Sequence, residues 1–106
     1  MGLIINAKCG CGFNEKLYVG GGMATYRVKD MMPAITIDER EFSLQNYYNF
    51  EDLKKTFRFY NNPRMFHANE NSYFIKYGQI TLSVNRNYCP KCHQYCMDFI
   101  KIGNWD

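Results

Sequence analysis

Residues 88 to 93 read Tyr88-Cys89-Pro90-Lys91-Cys92-His93, two thiols separated by a proline and a lysine. A Cys-x-x-Cys turn of this kind sets both sulfurs on one side of a hairpin tip, with backbone amides pointing at them. A second close pair stands far upstream, in Ala7-Lys8-Cys9-Gly10-Cys11-Gly12-Phe13. Its one-residue gap is tighter, and Gly10 and Gly12 supply the backbone freedom that so sharp a turn needs. What holds these four thiols decides how the two ends of the chain fold.

The flanks of both pairs read as strands. Leu3 to Lys8 enters the first pair, and Phe13 to Val19 leaves it with a partly alternating apolar pattern. Residues 79 to 84, Gln79-Ile80-Thr81-Leu82-Ser83-Val84, alternate cleanly and lead towards Cys89, with residues 73 to 77 as the other arm of a hairpin about Gly78. Residues 94 to 102 give a last strand after Cys92. Gly20-Gly21-Gly22 fits a sharp turn rather than a phosphate loop, since neither a Lys-Ser/Thr ending nor the spaced dinucleotide pattern follows it.

The middle of the chain has a different periodicity. Residues 23 to 29 fit a further strand, running into an irregular stretch at 29 to 33. Asp38 with Glu41 three residues on matches a capping box, predicting a short helix over residues 39 to 48. Phe50, Leu53, Phe57 and Tyr60 recur at helical spacing, with acidic residues first and Arg58 last, which predicts a second helix ended by Asn61-Asn62-Pro63. At 106 residues and 46% apolar composition, residues 1–106 are expected to form one domain.

Zinc needs four ligands at the corners of a tetrahedron, and two cysteine-bearing tips supply them two by two. The expected metal ligands are therefore Cys9, Cys11, Cys89 and Cys92 of one structural zinc site. With Cys-Pro-Lys-Cys between strands and a second tip at the other end, the chain resembles a zinc ribbon over roughly residues 3 to 19 and 80 to 102. Leu17 to Met23 also resembles a segment of small bacterial zinc-ribbon proteins of unassigned function. The resemblance implies an α+β fold with zinc-ribbon-like antiparallel hairpins at both chain ends and an inserted helical segment. Two departures are evident: the first tip is Cys-x-Cys, and 77 residues separate the tips. Closing a loop of that length costs about 4 kcal/mol from its logarithmic term, whereas a structural zinc ion supplies about 10 to 16 kcal/mol of apparent binding energy.

Other readings of the thiols are weaker. Five cysteines leave one over in any all-disulfide scheme, and a Cys-Pro-x-Cys redox dithiol, the basis for a thiol-redox enzyme, would want a helix starting at its first thiol where this chain continues as a strand. Cys96 is expected to pack as a small core side chain, or else to replace a first-tip ligand. His93 would enter the ligand set only if Cys9 or Cys11 did not, and is otherwise a surface residue or a donor to sulfur.

The N-terminal residues show neither a basic leader nor a long apolar run, and Asn6 stands where a myristoylation motif wants Ser or Thr. With thiols kept as ligands, a cytoplasmic setting and no membrane association are expected. The formal charge is +3; four thiolates bring −4 and a divalent ion +2, leaving the loaded protein near +1 and weakly attractive to polyanions. A binding role then rests on a local cluster of cations and rings around the second tip, Arg86, Tyr88, Lys91, His93, Tyr95 and Lys101, suited to a protein partner or to nucleic acid. No small-molecule substrate is indicated, and with only His67 and His93 as histidines, the stretch from His67 to Glu70 reads as a solvated loop rather than a catalytic pair.

Overall fold

Alternation along the first strand sets the inner face of the sheet. Leu3, Ile5, Ala7 and Cys9 are buried, whereas Lys8 is exposed, as expected of a strand with one face on a core. The computed structural model describes residues 2–21, 31–67, 72–77 and 80–105. Its strands are β1 (Gly2–Cys9), β2 (Asn14–Gly20), β3 (Met31–Thr36), β4 (Phe42–Asn46), β5 (Phe57–Phe59), β6 (Phe74–Tyr77), β7 (Ile80–Ser83), β8 (Asn87–Tyr88) and β9 (Tyr95–Trp105). One short helix, α1 (Phe50–Leu53), interrupts them.

Seven strands form one curled antiparallel sheet in the order β4, β3, β2, β1, β9, β8, with β5 added along β3; β6 and β7 form a separate hairpin. The architecture is thus α+β in the broad sense, dominated by antiparallel strands. First and last strands lie side by side in the centre, with Ile5 opposite Lys101 and Cys9 opposite Met97. That pairing brings the C-terminal end of β1 and the N-terminal end of β9 to the same edge of the molecule. Val19, Met32, Ile35, Tyr60, Leu82 and Phe99 fill the space enclosed by the curled sheet. Among the described residues no helix is long and apolar enough to cross a membrane.

The strands expected around the two tips and the hairpin of residues 73 to 84 are present, with Ile80 and Leu82 buried; the strand expected at 23 to 29, Gly22 and Gly78 lie outside the described residues. The helical segment is corrected. Residues 42–46 form β4, paired with β3 from Met31↔Asn46 to Ile35↔Phe42. Asp38 does not start a helix: its Oδ1 accepts from Thr36 Oγ1 at 2.6 Å and from the Arg40 amide at 3.2 Å, folding the β3–β4 loop on itself. Short polar side chains compete in this way with helical hydrogen bonds.

The second expected helix stops after one turn. Lys54 and Thr56 amides bond back to Phe50 and Leu53 carbonyls, and the chain then extends as β5. Ala34, Ile35 and Thr36 of β3 pair with Phe59, Arg58 and Phe57. Phe50 still meets Phe59, ring centroid to centroid 5.8 Å, through a turn rather than along a helix. Tertiary strand pairing has overridden local periodicity. The same β3 contains Pro33, in the stretch expected to be irregular; its carbonyl accepts the Tyr60 amide at 3.0 Å.

Candidate metal centre

The two tips are built alike. At the first, the Cys9 amide donates to the Phe13 carbonyl at 2.9 Å and the Gly12 amide to the Cys9 carbonyl at 3.0 Å. At the second, the Cys89 amide donates to Gln94 at 2.9 Å and the His93 amide to the Cys89 carbonyl at 2.9 Å. In each, the residue after the second cysteine has positive φ: Gly12 at 106° and His93 at 60°. This left-handed step turns the chain back sharply, at no side-chain cost for glycine and with some strain for histidine.

Four sulfurs converge from these tips. Sγ atoms of Cys9, Cys11, Cys89 and Cys92 all lie within 4.8 Å of one another. Cys9 and Cys92 are 3.8 Å apart and Cys11 and Cys89 3.6 Å. Two thiolates bound to one tetrahedral zinc ion at about 2.3 Å would stand about 3.8 Å from each other. The donor set therefore fits a metal ion of that size and preference, and an ion placed there would supply charge neutralisation and a fixed link between the tips.

The amides are arranged to suit thiolates. The Cys11 amide donates to the Cys9 sulfur and, against the opposing effect of burial, holds its pKa down at about 6, helped by the neighbouring thiols of Cys96, Cys11 and Cys89. Cys89, buried beneath the second tip, is pushed up to about 12 by desolvation, although the amides of Cys92 and Lys91 pull the other way. A divalent cation reverses such a penalty and deprotonates a coordinating thiol outright.

The middle of the chain grips both tips. Phe13, in the first tip, packs edge-on against Phe42 of β4, Phe42 against Tyr60, and Tyr60 against Phe99 of β9, with centroids 5.4–5.6 Å apart. Tyr60 is fully buried and its hydroxyl donates to the Tyr88 carbonyl at 2.6 Å, immediately before Cys89. From the β3–β4 loop, the Glu39 carboxylate accepts a short hydrogen bond from the Tyr88 hydroxyl, whose oxygen also lies 2.9 Å from His93 Nδ1. Burial and that carboxylate push the Tyr88 phenol up to about 12.

No family model matches the chain, and no curated protein or solved structure matches it either.

Of the sequence-selected residues, the structure brings together Cys9, Cys11, Cys89 and Cys92. Tyr88 and Tyr95 contact each other at 5.4 Å between ring centroids, and Tyr88 also faces His93. Lys91 turns the other way, across to the first tip, where a methyl group on Gly12 would come within 3.5 Å of its Nζ. Arg86 is exposed with φ of 58°, its carbonyl accepting the His67 amide. Lys101 lies six residues along β9 from Tyr95, about 20 Å at the rise of a strand, and is not gathered with the tip residues. His67 does lie in an exposed segment, stacked on Tyr95 at 3.9 Å; Glu70 is outside the described residues.

Two residues were misplaced or missed by sequence reasoning. Cys96 is not a core side chain: it is exposed, 3.1 Å from the Cys9 sulfur and 3.5 Å from that of Cys92. Its neighbours on β9 alternate as expected, but it stands at the strand's open end, where the outward face meets the tips. Glu39 carried no signal, because only tertiary folding brings the β3–β4 loop to the second tip.

Proposed function

We infer that this protein is a small structural zinc protein whose ion ties its first strand to its last, giving a rigid binding module. The observation that carries the reading is the convergence of four sulfurs from residues 9, 11, 89 and 92 at separations matching a zinc tetrahedron. The two-tip arrangement supports a zinc-ribbon-like description, with a sheet-forming middle in place of the usual short connection. A four-thiolate set leaves no open position for water, so the ion's role is structural rather than hydrolytic.

The ion and its four thiolates carry a formal charge of −2, with Lys91 positioned across the tips to offset part of it. Beside them, the surface formed by His67, Tyr88, His93 and Tyr95 is held in place by ring stacking and by Glu39. A carboxylate in the middle of this cluster disfavours phosphate and favours a protein partner, since repulsion offsets the pull of the nearby cations.

Metal analysis of the purified protein and of single Cys→Ser variants tests the reading. One zinc per chain is expected, with binding weakened at least about 100-fold on replacing any of the four ligands. Full zinc retention in the Cys89→Ser variant would refute it. For the partner, a labelled single-stranded oligonucleotide is expected to show no salt-steep binding at 50 to 200 mM salt.

A further inference from the structure

Cys96 has no place in the tetrahedron, yet it touches two of its corners. The triangle of Cys9, Cys92 and Cys96 has edges of 3.1, 3.5 and 3.8 Å. Two ligands of one zinc ion keep about 3.8 Å between sulfurs; at 3.1 Å, Cys96 crowds Cys9 too closely to share the ion with it. It is also accessible where its partner is not: Cys96 is exposed and Cys9 buried. A solvent-facing thiol beside a buried ligand thiol offers a surface oxidant a route to the ligand set, although contacts with Cys9 and Cys92 push the Cys96 thiol up to about 12 and so slow its reaction.

We propose that Cys96 is an oxidation site that couples peroxide to release of the metal, resting on the zinc reading above. A hydroperoxide oxidises the Cys96 thiol to a sulfenic acid, with one oxygen atom transferred to sulfur and water, or an alcohol, leaving. The Cys9 thiolate then attacks the Cys96 sulfur. A sulfur–sulfur bond forms, the sulfur–oxygen bond breaks, and the departing hydroxide takes up a proton to become water. The two thiols have lost two electrons and the hydroperoxide has gained them. Zinc has no redox chemistry of its own; with Cys9 taken into the disulfide, only Cys11, Cys89 and Cys92 would be left to hold it, and a competing chelator would remove it. A dithiol reductant restores the Cys9 thiolate and with it the site.

The geometry favours Cys9 over the other corners as the partner. Cys11 and Cys89 stand across the tetrahedron, joined by their own 3.6 Å contact. Cys92 is 3.5 Å from Cys96 against 3.1 Å for Cys9, and it belongs to the same short turn and strand, whereas Cys9 is on the adjacent strand with its residue opposite Met97.

The test uses the zinc-loaded full chain and Cys96→Ser, treated with hydrogen peroxide in the presence of a chromophoric zinc chelator. Cys96 is exposed, so the variant is expected to fold and hold one zinc. Wild type is expected to release zinc with formation of a Cys9–Cys96 disulfide, located by fragmenting the linked tryptic peptides 9–16 and 92–101. Release from Cys96→Ser is expected to be at least about tenfold slower. Equal release rates, or a bond that leaves Cys96 free, would overturn the proposal. Should neither protein hold zinc beforehand, the metal reading fails by itself, and mapping the disulfide in the metal-free chain still decides whether Cys9 and Cys96 are the reactive pair.

Discussion

The sulfurs of Cys9 and Cys92 stand 3.8 Å apart although 83 residues separate them along the chain. No local turn produces this contact. It follows from antiparallel pairing of the first and last strands, which carries one cysteine tip to each side of the same edge, and from the ring series Phe13, Phe42, Tyr60 and Phe99 that fixes the tips on the core. An ion held at this point would tie together segments that otherwise depend on a core of moderate size.

Removing the metal is therefore expected to loosen the whole fold. With one kcal/mol worth about 4–8 °C in a domain of this size, stripping zinc with a strong chelator under reducing conditions should lower Tm by at least about 15 °C. Circular dichroism melts with and without chelator measure it. An unchanged Tm would mean that the thiols hold no ion that matters to folding.

Tyr60→Phe is expected to destabilise the protein by about 1–3 kcal/mol, since it leaves the Tyr88 carbonyl without the hydroxyl that satisfies it at 2.6 Å. Urea denaturation of the zinc-loaded protein gives the number. Metal stoichiometry should stay at one, because the ring still fills its place among Phe42 and Phe99. A change within experimental error would show that water replaces the hydroxyl freely.

Much of this centre was legible in the sequence because cysteine pairs flanked by Gly or Pro are chemically unusual at any location. Their meeting point could be inferred from metal chemistry without knowing the path between them. The middle was harder. Phe50, Leu53, Phe57 and Tyr60 satisfy helical spacing, yet Phe57 and Phe59 also alternate as a strand does, and only the free edge of β3 decides between the two. Cys96 was expected in the core, yet alternation with the buried Met97 and Phe99 puts it on the outward face of β9, where the strand's end meets the tips.

Gly2→Ala should be costly despite its place at the start of a strand. A β-carbon there would collide with the Val19 carbonyl and with the indole of Trp105, whose Nε1 donates to that same carbonyl at 3.0 Å. Overpacking of this kind is worth about 1–3 kcal/mol. A lowered urea midpoint with red-shifted tryptophan emission is the expected result; emission unchanged from wild type would mean the indole is not docked there.

The metal-free protein should have a stability maximum near about pH 9 from its own thiols. Between about pH 6 and 9 the unfolded chain keeps a proton on Cys9 that the folded chain, with that thiol held at about 6, has lost; stability rises with pH. Above pH 9 the unfolded chain loses the Cys89 and Cys96 protons that the folded chain keeps up to about 12, and stability falls. Tyr88, held up at about 12, adds to the fall above pH 10. Melts across pH 6 to 10.5 in chelator and reductant check the shape, and Cys9→Ser should flatten the rising limb. A rising limb kept intact in that variant would assign it to other groups.

Zinc K-edge X-ray absorption on the protein as purified tests the central claim most directly. Four sulfur atoms at about 2.3 Å in a single coordination shell are predicted. A shell containing oxygen or nitrogen, or a protein that takes up no zinc at all, would contradict the tetrahedral link between the two ends of the chain.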